Sequence, residues 1–479
     1  MKSYKKHIAF ISLVVLSFAT RFIFLSTPPE VVFDEIYFGK FAAAYVIHEY
    51  YFDIHPPLAK MMIAGFASMM GIDRLDEIEG VFKEIGSGFD PKTFFALRFL
   101  PAFMGALIPI GAYLLLREIK ASKRAAFLGS SLLLFDTAIL GQSRFILTDS
   151  FFICFGVFAI FCYFRSRNNE KHKYIWLASS AALAGAAASV KYTAIAFLAL
   201  ILFMALIDSI KNFSFKKTIL KFVILLIIPF IVYSGSIAIH FSLLKKSGPG
   251  DAYMSQEFQK TLEGNKVGED IEPLGFWGKF SELTKAMYNY SAGITATHPY
   301  SSKWSEWPFG RRTAWYWTKT EGDNVANVYL IANPIIWWTA SASVALAILM
   351  LLAALKIKWA RKRVTLPLLF FTVGFIGNYL PFIGISRVAF LYHYLPPLLF
   401  ASLITALLYD SFFEDKNIKE TNHSFAGKLG FKSKKIAISY MTYVCLIAGL
   451  FFFLSPLVYG VSISKKTLKH YDPILKILD

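Results

Sequence analysis

Long apolar runs recur along almost the whole chain, separated by short clusters of charged residues. A spanning helix needs roughly 20 apolar residues. On that rule the pattern predicts eleven spans, at about 8–25, 94–116, 125–143, 149–164, 175–190, 192–208, 218–243, 335–355, 364–383, 388–409 and 437–461. Two longer segments, 26–93 and 244–334, interrupt the series. The expected fold class is therefore all-α integral membrane, in three parts: residues 1–243 as a first membrane module, 244–334 as a long loop, and 335–479 as a second membrane module.

Within the first long segment, Phe33, Tyr37, Phe41 and Tyr45 recur every four residues. After Pro56-Pro57, the residues Leu58, Met61, Met62, Gly65 and Met69 repeat the i, i+3, i+4 spacing. Both stretches read as amphipathic helices lying in the membrane interface. The proline pair suits a helix start, because proline is tolerated in a first turn.

Charge gives an orientation. Half of the 50 lysines and arginines fall in short segments that include Lys2–Lys6, Arg117–Arg124, Arg165–Lys173, Lys211–Lys217, Lys356–Arg363 and Lys416–Lys435. Such clusters face the cytoplasm. The N-terminus is then expected inside the cell and the C-terminus outside, with both long segments on the outer side. The net charge of +18 is accounted for by this clustering, so nucleic acid is not an expected partner.

Composition agrees with the membrane reading. Hydrophobic residues make up 56% of the 479, charged residues 17%, and mean hydropathy is +0.50. Soluble domains average about 45–50% apolar and about 25% charged. Cys154, Cys162 and Cys445 all sit inside apolar runs, without CxxC spacing or histidine neighbours, so neither a disulfide framework nor a zinc site is expected. The basic start and the following apolar run resemble a signal peptide, but no small-residue cleavage site follows, and the run reads as a retained first span.

Two constellations carry candidate chemistry. Asp34-Glu35 places adjacent carboxylates between Val31-Val32-Phe33 and Ile36-Tyr37-Phe38. Apolar surroundings make such charges costly. One reading is a helix N-cap at Asp34 with Glu35 in the first turn. The other is a general base taking a proton from an attacking hydroxyl, a role that contributes typically 10²–10⁴-fold. The second constellation, Phe52-Asp53-Ile54-His55-Pro56-Pro57, sets a carboxylate and a histidine at the next helix start. Charged residues near span ends, Arg98, Arg144 and Lys191, read either as snorkelling side chains or as cavity-lining cations. Asp149 follows Arg144 by five residues, while His298 and His393 fall at loop or span ends. Six of the nine tryptophans cluster between Trp304 and Trp338, which reads as an interfacial belt or a sugar platform. No ligand cluster calls for a metal, and a divalent cation stays compatible with the sequence.

The stretches Val32-Phe33-Asp34-Glu35-Ile36-Tyr37-Phe38-Gly39-Lys40-Phe41 and Phe52-Asp53-Ile54-His55-Pro56-Pro57-Leu58-Ala59-Lys60 resemble the first outer loop of the protein O-mannosyltransferases. Further resemblances follow in the family's order at Ala96–Ala102, Ser143–Ser150, Ser189–Tyr192, His298–Pro308 and Arg387–Pro396. The resemblance implies the lipid-linked-sugar glycosyltransferase (GT-C) fold. It also implies inverting transfer of mannose from a polyprenyl-phosphate donor to Ser or Thr of exported proteins, with the secretion machinery as a further partner. On that basis Asp34 is expected to act as base with Glu35 beside it. Arg98 and Lys191 are expected to hold the phosphate. His55, Arg144, Asp149, His298 and His393 are expected to bind substrates. Eukaryotic members carry a β-trefoil in a large central loop. Segment 244–334 is too short for one, which suggests a prokaryotic member. The competing expectations are a related transferase moving another sugar, such as aminoarabinose, and a lipid or sugar transporter.

Overall fold

The structure is a computed structural model that describes residues 8–72, 81–385, 387–413 and 433–479. The basic residues Lys2, Lys5, Lys6, Lys416, Lys419, Lys428 and Lys432, which entered the orientation argument, lie outside the described residues.

Each of the eleven expected spans falls on helical chain. The first helices are α1 (Ile8–Phe22), α2 (Glu35–Ile47), α3 (Leu58–Met69) and α4 (Pro91–Glu118). Then come α5 (Lys123–Leu134), α6 (Thr137–Arg144), α7 (Asp149–Asn168), α8 (Lys173–Ala188), α9 (Ile195–Lys211) and α10 (Phe215–Leu243). After them follow α11 (Phe276–Ala292), α12 (Pro334–Ala353), α13 (Leu366–Tyr379), α14 (Leu395–Phe413) and α15 (Lys434–Leu454). Among the described residues eight helices are long and apolar enough to cross a membrane, or nine if the bent α5–α6 pair counts as one span. The chain is a multi-pass membrane protein of mostly helical fold. The helices α1, with 15 residues, and α8, with 16, are shorter than any of these eight spans.

Local chemistry explains the boundaries. Asp90 caps α4 through its carboxylate and the Thr93 amide, and Pro91 takes the first helical position. The run expected as one span at 125–143 is broken by 58° because Asp136 caps a new helix through the Ile139 amide. The helices α2 and α3 form as expected, and α3 begins directly after Pro57. The buried face of α2 differs from the aromatic stripe, however. It carries Gly39, Ala42, Ala43 and Tyr45, while Tyr37 is exposed. Small residues win there because the neighbours come too close for rings: a Cβ on Gly39 would sit 2.3 Å from the Phe82 ring.

Segment 244–334 holds α11 and an antiparallel hairpin, β1 (Ala314–Glu321) and β2 (Asn324–Leu330). Gly322 supplies the left-handed turn residue at φ +58°. A third strand, β3 (Ile463–Ser464), arrives from the C-terminal tail and pairs with the start of β2, at Asn324 and Val325. The hairpin lies against the loop before α2, where it helps to build the site.

Candidate functional site

Asp34 occupies the N-cap position of α2, yet its side chain makes no capping hydrogen bond. Among the described residues its carboxylate has no hydrogen bond or ion pair at all. Glu35, buried completely, behaves in the opposite way. Its Oε2 accepts from the Val32 amide and its Oε1 from the Ile146 amide. Both oxygens also accept from Arg98, Nε to Oε1 and Nη2 to Oε2, each at 2.8 Å. Two adjacent acids thus do different things: one is locked and the other is left open.

The Asp34 carboxyl is held among groups of both signs. Burial pushes its pKa up from 3.8 to about 7, and the neighbouring Asp149 and Asp53 add to the rise while Lys191 opposes it. Lys191 pairs with Asp149 at 3.0 Å, both buried. Its ammonium lies 5.0 Å from the Tyr392 ring and 5.6 Å from the Phe152 ring. Asp53 is engaged by the buried Lys60, which also donates to the His55 carbonyl at 2.7 Å. His55 is pushed down to about 3, by burial first and then by Lys191, Lys60 and Arg387, against the opposing Asp53. Its imidazole is therefore neutral at physiological pH.

Backbone strain fixes the loop that carries Asp34. Phe33 sits at φ +50°, a region that costs a bulky residue of order 1–3 kcal/mol. Its ring is stacked on Tyr316 of β1, centroids 3.9 Å apart and planes within 6°, and meets the edges of Phe390 and Tyr392. The Tyr316 hydroxyl in turn accepts from Gln142 Nε2 at 2.6 Å. Segments far apart in sequence therefore hold the strained residue beside Asp34.

Two cavities adjoin the cluster. One of about 160 Å³ is lined by Asp149, Lys191, Asn378, Tyr392 and His393 among others. The next, about 600 Å³, shares Phe382 and Ile385 with it and is lined also by Lys303, Trp304, Arg312 and Arg387. Arg387 makes no ion pair among the described residues.

The sequence expectations divide accordingly. Asp34, His55, Asp149, Lys191 and His393 come together. His393 lines the smaller cavity and stacks on Trp307, with centroids 5.9 Å apart. His298 is exposed and packs edge-on against Phe390, at the rim. Three expectations need correction. Glu35 has no free oxygen for substrate, because four hydrogen bonds consume it. Arg98, 0% exposed, spends its guanidinium on Glu35 and on the carbonyls of Leu25, Pro28 and Glu30, and is closed to a phosphate. Arg144, also buried, donates to the carbonyls of Arg21, Ile23 and Phe24 and faces the Tyr459 ring. These two arginines tie together the chain that leaves α1. Residues that sequence reasoning passed over are Tyr316 and Arg387. The Gly322 turn, following the aromatic start of β1, was the available signal for the first. For Arg387, the signal was a lone cation beside the aromatic Phe390–Tyr394 stretch. Among the described residues no three His, Cys, Asp or Glu are grouped to hold a metal.

Two family models match in tandem: "Dolichyl-phosphate-mannose-protein mannosyltransferase" over residues 11–245, and "C-terminal four TMM region of protein-O-mannosyltransferase" over 276–474. The chain belongs to the protein O-mannosyltransferase family. Protein O-mannosyltransferase 1 of Drosophila pseudoobscura pseudoobscura is 37% identical over 268 residues, covering 53% of this chain and 29% of the relative. The chain thus spans about a third of the length of the curated relatives it matches. The fold is similar to that of the S. cerevisiae protein O-mannosyltransferase Pmt1-Pmt2 complex bound to the sugar donor. That likeness has a TM-score of 0.84 at 20% identity and covers 97% of this chain and 92% of the other. ArnT from Cupriavidus metallidurans bound to undecaprenyl phosphate shares the fold more distantly, with a TM-score of 0.50 at 11% identity over 98% of this chain and 73% of ArnT. These neighbours make this a GT-C fold.

Proposed function

We propose that this protein transfers mannose from polyprenyl-phosphate mannose to Ser or Thr hydroxyls of exported proteins, with inversion at the sugar. The observation that carries the reading is Asp34: an acid with no internal partner among the described residues, poised near neutrality, next to cations and a cavity. Its carboxylate takes the hydroxyl proton as the oxygen attacks C1 of the sugar. The C1–O bond to phosphate breaks, and the polyprenyl phosphate leaves with the bonding electrons. A phosphate leaving group needs no general acid. Cations stabilise the charge that develops on it. Lys191 and Arg387 fill that role, while Asp149 holds the lysine in place. Neutral His55, with His393 and the rim residue His298, orients the two substrates. Glu35, Arg98 and Arg144 serve the frame rather than the reaction.

The reading further puts the site on the exported side, with the N-terminus cytoplasmic and the C-terminus outside, and divides the chain into modules 1–243 and 335–479 around the loop 244–334. Membership of the family supports the donor and acceptor classes, and the basic clusters support the orientation. The test is transfer of mannose from a defined polyprenyl-phosphate donor to a Ser/Thr peptide in membranes carrying the protein. Consumption of donor without a mannosylated peptide would redirect the assignment to another acceptor. Labelling single cysteines placed in 244–334 from outside intact cells checks the orientation.

A further inference from the structure

A second polar cavity, of about 750 Å³, lies at the opposite end of the helices that carry the site. The helix α7 begins at Asp149 in the first cluster and ends at Asn168 in this cavity. Twenty residues at 1.5 Å each separate the two by about 30 Å, one bilayer core. The walls come from the ends of α7 and α9 and the starts of α8 and α10.

Its charges are not balanced. Arg167 is neutralised by Asp208 at 2.8 Å, and Tyr163 donates to the same carboxylate. Lys173 has a partner only in the exposed Glu170, a pair of little strength. Lys221 makes no ion pair among the described residues, donating only to the Ser209 hydroxyl at 3.0 Å. Lys217 makes no ion pair or hydrogen bond among them either. Two ammonium groups thus line the cavity without an anion paired to them among the described residues. Its lining includes two exposed aromatic side chains, Phe213 at 73% and Tyr174 at 43% exposure. In a membrane protein such a surface meets lipid chains.

We propose that this cavity binds the phosphate headgroup of an anionic membrane lipid, its chains lying along Tyr174 and Phe213. Basic pockets between spanning helices at the headgroup level recognise lipids of this kind. Lys217 and Lys221 contact the phosphate, and the apolar rim selects a lipid over a soluble phosphate. The site is separate from the Asp34 cluster and does not depend on the reaction assigned there.

The experiment uses the full chain in nanodiscs, with phosphatidylglycerol as probe and phosphatidylcholine as background, and reads retained lipid by native mass spectrometry. The double variant Lys217→Gln with Lys221→Gln should lower retained phosphatidylglycerol at least tenfold. Lys211→Gln with Lys216→Gln removes the same charge beside the cavity and should leave retention near normal. Equal losses in both variants would mean a diffuse surface attraction and overturn the site. Failure of the unaltered protein to prefer phosphatidylglycerol would also overturn it. Glycerol phosphate displacing the lipid at equal concentration would overturn the lipid assignment, since the apolar rim would then contribute nothing.

Discussion

Replacing Asp34 with asparagine keeps the size and removes the charge. In the folded protein the carboxyl's pKa stands at about 7, against 3.8 for an unperturbed aspartate. A rise of about three pH units corresponds to about 4 kcal/mol. The folded state holds the proton more tightly than the unfolded chain does. This contribution to stability is therefore fully present below pH 3.8 and is lost as pH rises through 7. Asp34→Asn escapes the loss, so it should be the more stable protein at pH 8, by up to about 4 kcal/mol, and no more stable at pH 4. Mannose transfer should fall in the opposite sense, by 10²–10⁴-fold if the residue is the base. In the unaltered protein kcat/KM for mannose transfer should rise with pH through a midpoint near 7, as the carboxyl ionises. Thermal unfolding in detergent at pH 4, 6 and 8, paired with transfer assays on equal amounts of protein, reads all three. Turnover within tenfold of normal, or a stability gain identical at every pH, would refute the reasoning.

Further outcomes follow from the same geometry. Glu35→Gln leaves Arg98 charged and buried without its partner, and should destabilise the protein by about 3–5 kcal/mol, seen as lost folded yield and a lower melting temperature. Arg387→Ala should raise KM for the donor and weaken its salt dependence, with the melting temperature unchanged. Tyr316→Leu removes the ring that holds strained Phe33 and should cut kcat at least tenfold, while Tyr316→Phe, which loses only the Gln142 hydrogen bond, should stay within a few-fold; parallel kinetics separate them. His55 is pushed down to about 3, so His55→Gln should leave the pH midpoint of activity in place whatever it does to KM.

The membrane helices were legible because hydropathy is a sum over many residues, and small local errors cancel. Even the break at Asp136 carried a signal, since an acid in mid-span followed by a new helix start reads as a cap. The site was legible only in part. Asp34 and Glu35 are adjacent and chemically alike, and nothing local says which is free. Packing decides it, through Arg98, which is 63 positions away from Glu35. The same distance hides the arginines: a cation near a span end looks alike whether it faces a cavity or a ring of carbonyls. The hairpin was missed for another reason. Its residues lie inside the tryptophan-rich run that suggests an interfacial belt, and the Gly322 turn was the feature that distinguished the two.

The clasp between Phe33 and Tyr316 gives the protein an order of assembly. Its acid is laid down early in synthesis, but the ring that disciplines its backbone is made only after a long stretch of membrane helices. A nascent or truncated N-terminal half therefore carries the right functional group in an unset loop.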